Sequence, residues 1–292
     1  MSIQLKEVSK SVEGLLILND INLTLENKTI YGLIGQNDSG KTTLLRILAN
    51  LRFASEGYIE IDGKDVEEFP RIISKIYFQS QDNIYPKHAK LKRIIKLISG
   101  FYSGFHIDYC QQLLKKYNLN ESDIFNKLSI KKQMLFRSCL AFSIDTDYIL
   151  LDDPTFSLDA SYQHELFNDL KASYKRYPKT FVLSTHSINE IQDLVDNIII
   201  IEDGQIIVED KVQDLIEQVY MLEGSERDMR DFLKQRNVLG QEYVEGNIRA
   251  YARLTKEEVS NAGHLQIQTM DLQELFIRLT RNPFKESKGD EK

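Results

Sequence analysis

Nine residues constrain this chain more than any others. Gly35-Gln36-Asn37-Asp38-Ser39-Gly40-Lys41-Thr42-Thr43 fits G-x-x-x-x-G-K-[ST], a loop that wraps nucleotide phosphates. Its surroundings fit as well. Residues 29–34 read as a short buried strand, and residues 43–49 as a helix with apolar residues at helical spacing. Gly35 and Gly40 permit backbone angles that side chains resist, so amides can point inward at phosphate oxygens. The following helix adds the positive end of its dipole. Lys41 supplies a point charge for the terminal phosphates, and Thr42 a hydroxyl for Mg²⁺. A glycine-containing turn before an ordinary helix is the alternative; strand, loop and helix in register argue against it.

At 292 residues the chain has room for one large domain or two. A net charge of −7 disfavours a wide nucleic-acid surface, so no nucleic-acid partner is expected. Residues 1–7 lack the basic start and apolar run of a signal peptide. The longest purely aliphatic run, residues 198–201, is far short of a bilayer span, so any membrane role must go through a partner. Cys110 and Cys139 read as two buried thiols on helices.

Along the chain, alternation marks residues 3–8 and 15–25 as antiparallel strands before the phosphate loop. Residues 58–63 read as strand and turn, and 76–78 as a short strand. From about residue 86 to 143 the pattern is helical, with Leu91, Ile94, Ile95 and Ile98 on one face. Residues 148–151 form a buried strand ending in Asp152-Asp153-Pro154. A helix over about 160–177, a strand over 180–183 and a helix to Leu194 follow. A hairpin at 198–202 and 205–208 turns at Asp203-Gly204. Strands alternating with helices imply a mostly parallel sheet. The organisation expected is a phosphate-loop domain over 1–210, with a helical subdomain at about 86–143. A small α+β accessory domain without a catalytic motif follows at 211–283. Its helices are expected from Asp214, at 226–235 and at 272–279, with strands at 251–254 and 265–267. Residues 284–292 read as a frayed tail.

A phosphate loop alone does not separate kinases, GTPases and transport ATPases; the downstream residues do. Asp152 follows an apolar strand 111 residues beyond Lys41, where a second Mg²⁺-organising carboxylate would sit. Asp153 comes next, then Pro154-Thr155-Phe156-Ser157-Leu158-Asp159. Leu183-Ser184-Thr185-His186 ends a strand 34 residues beyond Asp152. Taken together, residues 3–210 resemble the ATP-binding subunit of an ABC transporter, bacterial exporter-like. The resemblance implies an α/β P-loop core with an antiparallel β subdomain and a helical subdomain. It implies ATP and Mg²⁺, with residues 35–43 on the phosphates. By resemblance, Asp152 and Thr42 serve the metal, Asp153 occupies the general-base position, and His186 is the switch histidine sensing the γ-phosphate. Ser157-Leu158-Asp159 looks like the loop that communicates between paired subunits. Gln81 is the lid glutamine contacting Mg²⁺ and the membrane partner, with Gln79 as the alternative. The implied active unit is a head-to-tail pair, homodimer or heterodimer, with ATP between the phosphate loop of one subunit and a signature loop of the other. That unit would sit on a transmembrane permease at the cytoplasmic face. The basic run 87–96 lies near where the family docks its membrane subunit. A cargo of peptides or other amphiphiles rests on analogy. A soluble ABC-type ATPase and a catalytically inert regulatory module are the rival readings. The first usually carries two cassettes or a long coiled coil, and this sequence shows neither.

Four departures from the family pattern bear on mechanism. The signature loop, Leu128-Ser129-Ile130-Lys131-Lys132-Gln133, has lost its glycines and retains Ser129; a plain helix start is the other reading. Asp153 stands where glutamate is usual, and losing one methylene pulls the carboxylate back by about one C–C bond. The adenine-stacking aromatic aligns with Val12, so weak discrimination between adenine and guanine is expected. Asp38 replaces a loop glycine, at a position where aspartate tolerates left-handed angles. Slow hydrolysis is the expected result.

Overall fold

The chain opens as a hairpin because its two halves alternate around a turn that only certain residues make. Strands β1 (Ser2–Val12) and β2 (Leu15–Glu26) pair antiparallel. They turn at Glu13 and Gly14, both at positive φ (51° and 84°) as a two-residue hairpin turn requires. The computed structural model describes residues 1–280 except 83, 245, 263 and 264, so the tail expected at 284–292 lies outside it. Strand β3 (Ile30–Ile34) then runs into the phosphate loop and helix α1 (Lys41–Leu48). Strands β4 (Glu56–Ile61) and β5 (Lys64–Asp65) complete a four-stranded antiparallel sheet in the order β2-β1-β4-β5.

Strand β6 (Ile76–Gln79) leads to the helical subdomain, α2 (Leu91–Phe101), α3 (Ile107–Lys116) and α4 (Ile130–Ser143). Strand β7 (Tyr148–Asp152), helix α5 (Ala160–Arg176), strand β8 (Thr180–Thr185) and the hairpin β9 (Asn197–Glu202) and β10 (Gln205–Lys211) follow. The second sheet has six strands in the order β10-β9-β3-β8-β7-β6, parallel except for edge strand β10. The helix expected up to Leu194 is not there. A single 3-10 turn, Ile188–Glu190, stands in its place, although Ile188, Ile191, Leu194 and Val195 are buried as their spacing implied. The basic run 87–96 is likewise only partly helical, since α2 begins at Leu91.

Period-two alternation decides which side of the parallel sheet each residue serves. Tyr31, Leu33, Leu150, Val182, Ile199 and Ile201 face one apolar cluster, shared with the antiparallel sheet and with Leu44, Leu45, Ile47 and Leu48 of α1. Ile30, Ile34, Ile149, Leu151, Phe181, Leu183, Ile198 and Ile200 face the other, shared with the helical subdomain. Both faces are covered, as a parallel sheet needs. Cys110 and Cys139 lie buried and unpaired on α3 and α4.

The C-terminal segment consists of α6 (Val212–Gln218), β11 (Val219–Ser225), α7 (Glu226–Leu233), β12 (Val238–Val244), β13 (Asn247–Arg253), α8 (Lys256–Asn261), β14 (Gln266–Thr269) and α9 (Leu272–Thr280). Its strands form an antiparallel sheet in the order β12-β13-β11-β14. It has a small apolar cluster around Leu222, Met229 and Ala250. Yet Tyr251, Met270, Leu272, Leu275 and Phe276 belong to the same apolar cluster as the helical side of the six-stranded sheet. An Arg253–Asp210 ion pair adds a further tie.

One buried charge works against this core. Lys179 is only 1% exposed, donates from Nζ to the Ile144 carbonyl, and is pushed down to about 8 by burial, with Asp145 opposing. Its folded value lies below the ordinary 10.5, so the unfolded chain binds more protons and stability rises with pH between about 8 and 10.5. Below that window the charged form costs up to about 3 kcal/mol. Lys179→Met is expected to stabilise the protein by about 1–2 kcal/mol at pH 7, after about 1 kcal/mol for the lost hydrogen bond. Denaturant midpoints at pH 7 and 10 check this: the gap between variant and wild type should narrow at the higher pH.

Candidate active site

Four parallel strands deliver the site at their carboxyl ends, where open α/β sheets hold ligands. β3 ends in the phosphate loop, β7 in Asp152, β8 just before His186, and β6 two residues before Gln81. They open on one cleft of about 690 Å³, lined by Asn37, Asp38, Gly40, Lys41, Thr42, Thr43, Gln81, Asp152, Asp153 and His186, with Ser184, Leu15 and Ile17. The sequence had singled out the first ten of these.

The loop owes its path to its glycines. A Cβ on Gly35 would lie 2.3 Å from the Ile201 carbonyl oxygen and 2.4 Å from Ser39 Oγ. Gly40 sits at φ 108° as the residue preceding α1. Asp38 takes φ 63° and is exposed, which keeps its carboxylate free to face solvent. Lys41 Nζ donates to the carbonyls of Gly35 (2.8 Å) and Gln36 (2.7 Å), bending back along its own loop. Burial lowers its pKa, while Asp153, Asp152 and other carboxylates raise it. Ser39 Oγ is buried with no hydrogen-bond partner, a polar atom left over beside the cradle.

Opposite the loop, one hydroxyl network fixes the carboxylates. Thr42 Oγ1 donates to Asp152 Oδ1 (3.0 Å), and Ser184 Oγ donates to the same oxygen (2.8 Å). Ser184 Oγ also accepts from the Asp153 backbone N–H (2.9 Å). Asp153 itself takes a left-handed φ of 47°. Its Oδ2 accepts from Gln81 Nε2 at 3.4 Å, and its Oδ1 is buried with no partner. Burial raises the Asp153 pKa; His186 opposes this, while Glu190 and Asp152 add to it. Among the described residues no group of three or more His, Cys, Asp or Glu could hold a metal unaided. One hydroxyl (Thr42), one carboxylate (Asp152) and one amide (Gln81) suit Mg²⁺, which keeps waters and binds through few carboxylates plus substrate phosphates.

The two glutamines separate cleanly. Gln81 reaches the cleft, whereas Gln79 is buried beside Ser138, 3.5 Å away. Val12 does not line the cleft; its hairpin partner Leu15 does. The two residues flank the same tight turn. Gly35, Gln36 and Ser39 shape the loop from outside the cleft lining. Ser129 and Asp159 lie elsewhere. Ser129 caps α4 by accepting from the Lys132 N–H, and Asp159 caps α5 by accepting from the Tyr162 N–H. Lys131 Nζ pairs with Asp159 (3.2 Å) and sits 4.0 Å above the Tyr162 ring, and Lys132 Nζ donates to the Asn118 carbonyl. Both signature lysines are thus engaged within the chain. Ser184 was the supporting residue the sequence reading left unassigned; its signal was its place in the strand-ending Leu183-Ser184-Thr185-His186.

The chain is similar to known proteins. The family model described as ABC transporter matches residues 18–156. ABC transporter ATP-binding protein YtrB of Bacillus subtilis (strain 168) is 30% identical over 207 residues, 70% of this chain and 70% of that protein. Phosphonates import ATP-binding protein PhnC of Lactobacillus johnsonii is 30% identical over 239 residues, 75% of this chain and 93% of that protein. Among solved structures, the dimeric ATP-binding cassette MJ0796 with ADP and Pi superposes with a TM-score of 0.63 at 27% identity, over 72% of this chain and 98% of that one.

Proposed function

The chain belongs to the ABC transporter ATP-binding proteins, and from that premise we propose that it is the ATPase subunit of a membrane transporter. It would pair with a second ATPase subunit around Mg-ATP and drive a transmembrane permease from the cytoplasmic face. The observation that carries the reading is the single cleft joining Lys41, Thr42, Gln81, Asp152, Asp153 and His186. Loop amides and Lys41 hold the triphosphate; Thr42 and Asp152 receive the metal that accompanies it. Asp153 faces the side where water would attack, and His186 lies beside it to register the terminal phosphate. The relative MJ0796 forms a dimer, and the same pairing here would bring Ser129 of one subunit toward the other's phosphates.

Hydrolysis is proposed to be slow, with binding as the closing step. Two observations favour this, and also the second reading of an inert nucleotide-dependent module. Asp153 is shorter than the usual glutamate, and the signature helix start offers Ile130 and internally bonded lysines in place of glycines. Hydrolysis of ATP by the complex with its permease separates the two. Export of peptides or amphiphiles rests on analogy with the family, while the phosphonate-import relative supports uptake. Efflux and uptake in vesicles of opposite orientation decide.

A groove supports the permease partner. Tyr85, Pro86, Ala89, Arg93, Ile94, Lys96, Leu97, Gly100 and Phe101 line a mostly apolar hollow of about 480 Å³ beside the lid segment. Leu97 and Phe101 at its edge are 52% and 74% exposed. No described helix is long and apolar enough to cross a membrane. The apolar lining and exposed edge suit a helix offered by a membrane protein. Leu97→Glu with Phe101→Glu is expected to abolish co-purification with a multispanning membrane protein. Affinity for Mg-ATP should stay within about twofold, because both residues are remote from the phosphate loop. Retained co-purification would remove the groove from the reading.

A further inference from the structure

Helix α9 touches two elements of the nucleotide cleft at once. At its end, Gln36 Nε2 donates to the Thr280 carbonyl at 2.9 Å. Near its start, Asn189 Nδ2 donates to Gln273 Oε1 at 2.6 Å. Along the same helix Leu272, Leu275 and Phe276 pack in one apolar cluster with Ile188 and Ile191. The segment it meets is the one that follows His186. There Glu190 Oε2 accepts from Thr185 Oγ1 (3.2 Å) and from Thr155 Oγ1 (2.9 Å), two residues beyond Asp153. Ile191 also packs on Gly32 of β3, where a Cβ would come within 2.5 Å of its Cδ1. On the other side, α9 is tied to the C-terminal sheet: Arg278 reaches Glu242 (3.4 Å), which also accepts from Tyr251 Oη (2.5 Å).

We infer that Gln36 and Gln273, joined through α9, are positioning residues that make the C-terminal module a coupling element between the phosphate loop and the switch segment. The inference rests on the nucleotide-binding role proposed above. Gln36 is the second residue of the loop, and its carbonyl also holds Lys41 Nζ. Anchoring its amide on α9 narrows the conformations of the loop's first turn, so this contact acts on nucleotide affinity. Gln273 holds Asn189, three residues beyond His186, so that contact acts on turnover. Coupling of this kind is reciprocal: nucleotide in the cleft must steady α9 as much as α9 steadies the cleft.

The test uses the full chain with its membrane partner and reads dissociation constant and turnover separately. Gln36→Met, which keeps length and loses the donor, should weaken Mg-ATP binding about three- to tenfold, the worth of one hydrogen bond. Gln273→Leu should lower turnover by about the same factor and leave binding within about twofold. Gln273→Glu retains an acceptor for Asn189 and should restore turnover. Mg-ATP should slow amide exchange in residues 272–280. Normal binding by the wild type with both Gln36→Met and Gln273→Leu silent overturns the coupling and leaves the transporter reading standing. So does an equal loss from Gln273→Leu and Gln273→Glu, which would make Gln273 a packing residue. A wild type that binds no Mg-ATP overturns both.

Discussion

Lys41→Ala will weaken Mg-ATP binding by about 100-fold or more. Hydrogen bonds to charged groups contribute about 1.5–3 kcal/mol each, or about 10- to 150-fold. The site adds to this. Lys41 is the cation facing Asp152 and Asp153, and its own pKa records their attraction against the cost of burial. Without it, two carboxylates meet a triphosphate with less compensating charge. The ammonium now rests on the Gly35 and Gln36 carbonyls, so it needs only to swing from loop oxygens to phosphate oxygens. Folding should survive the change, since the buried side of α1 is Leu44, Leu45, Ile47 and Leu48. Titration calorimetry with Mg-ATP and thermal melting without it check both halves. A loss below about tenfold, with normal melting, would mean that phosphate recognition does not pass through Lys41 and that the transporter reading fails.

The core of the fold was readable because its signals are local. The strand before Gly35, the alternation of 3–8 and 15–25, and the apolar run before Asp152 each match one element. The segment after His186 misled because Ile188, Ile191, Leu194 and Val195 recur at helical spacing. The backbone there makes isolated helix-type bonds, from the Gln192 N–H to the Ile188 carbonyl and from the Val195 N–H to the Ile191 carbonyl, without the consecutive run a helix needs, while Glu190 and Asn189 bond to other elements; burial followed the pattern in full and backbone hydrogen bonding only in part. In the C-terminal segment, β11 and β12 escaped notice. β11 carries Glu223 and Gly224, and β12 is half-exposed with Gly240 and Gln241, so neither has the β-branched run that marks a strand. Helix α8 had a legible start, the Thr255–Glu258 capping box, that the sequence reading passed over.

The site was legible where one residue type can do one job. Gly40, Lys41 and Thr42 line the cleft that their motif implied, and a Cβ on Gly35 would collide with Ile201 and Ser39. What sequence could not show is which side chains share an atom. Ser184 bonding both Asp152 and the Asp153 backbone is a product of β7 and β8 lying side by side in register, Asp152 opposite Ser184. The hairpin side of the cleft is similar. Leu15 enters it because the Glu13-Gly14 turn sets the hairpin register, a three-dimensional fact that position counting to Val12 could not contain.

That shared serine makes the second large effect calculable. A short base could compensate by moving its backbone forward, but the Asp153 N–H is held by Ser184 Oγ, and the same hydroxyl holds Asp152. Advancing Asp153 would disturb Asp152, the residue proposed to receive the metal. The carboxylate therefore stays back, with Oδ1 buried and unpaired and Oδ2 on Gln81 at 3.4 Å. General-base catalysis contributes about 10²–10⁴ in rate and demands contact at about 2.6–3.2 Å. Asp153→Glu restores the missing methylene and is expected to raise turnover of the membrane complex about tenfold or more, with Mg-ATP affinity little changed. The acid side of the rate profile gives an independent reading. Burial raises the Asp153 pKa, so the carboxylate is protonated and lost as a base at higher pH than an ordinary aspartate. The wild-type rate should fall as pH drops through that raised value, and Asp153→Asn should remove the dependence along with most of the rate. If Asp153→Glu is no faster than wild type while Asp153→Asn is at least about 100-fold slower, the aspartate already reaches its water and the account of slow hydrolysis is wrong.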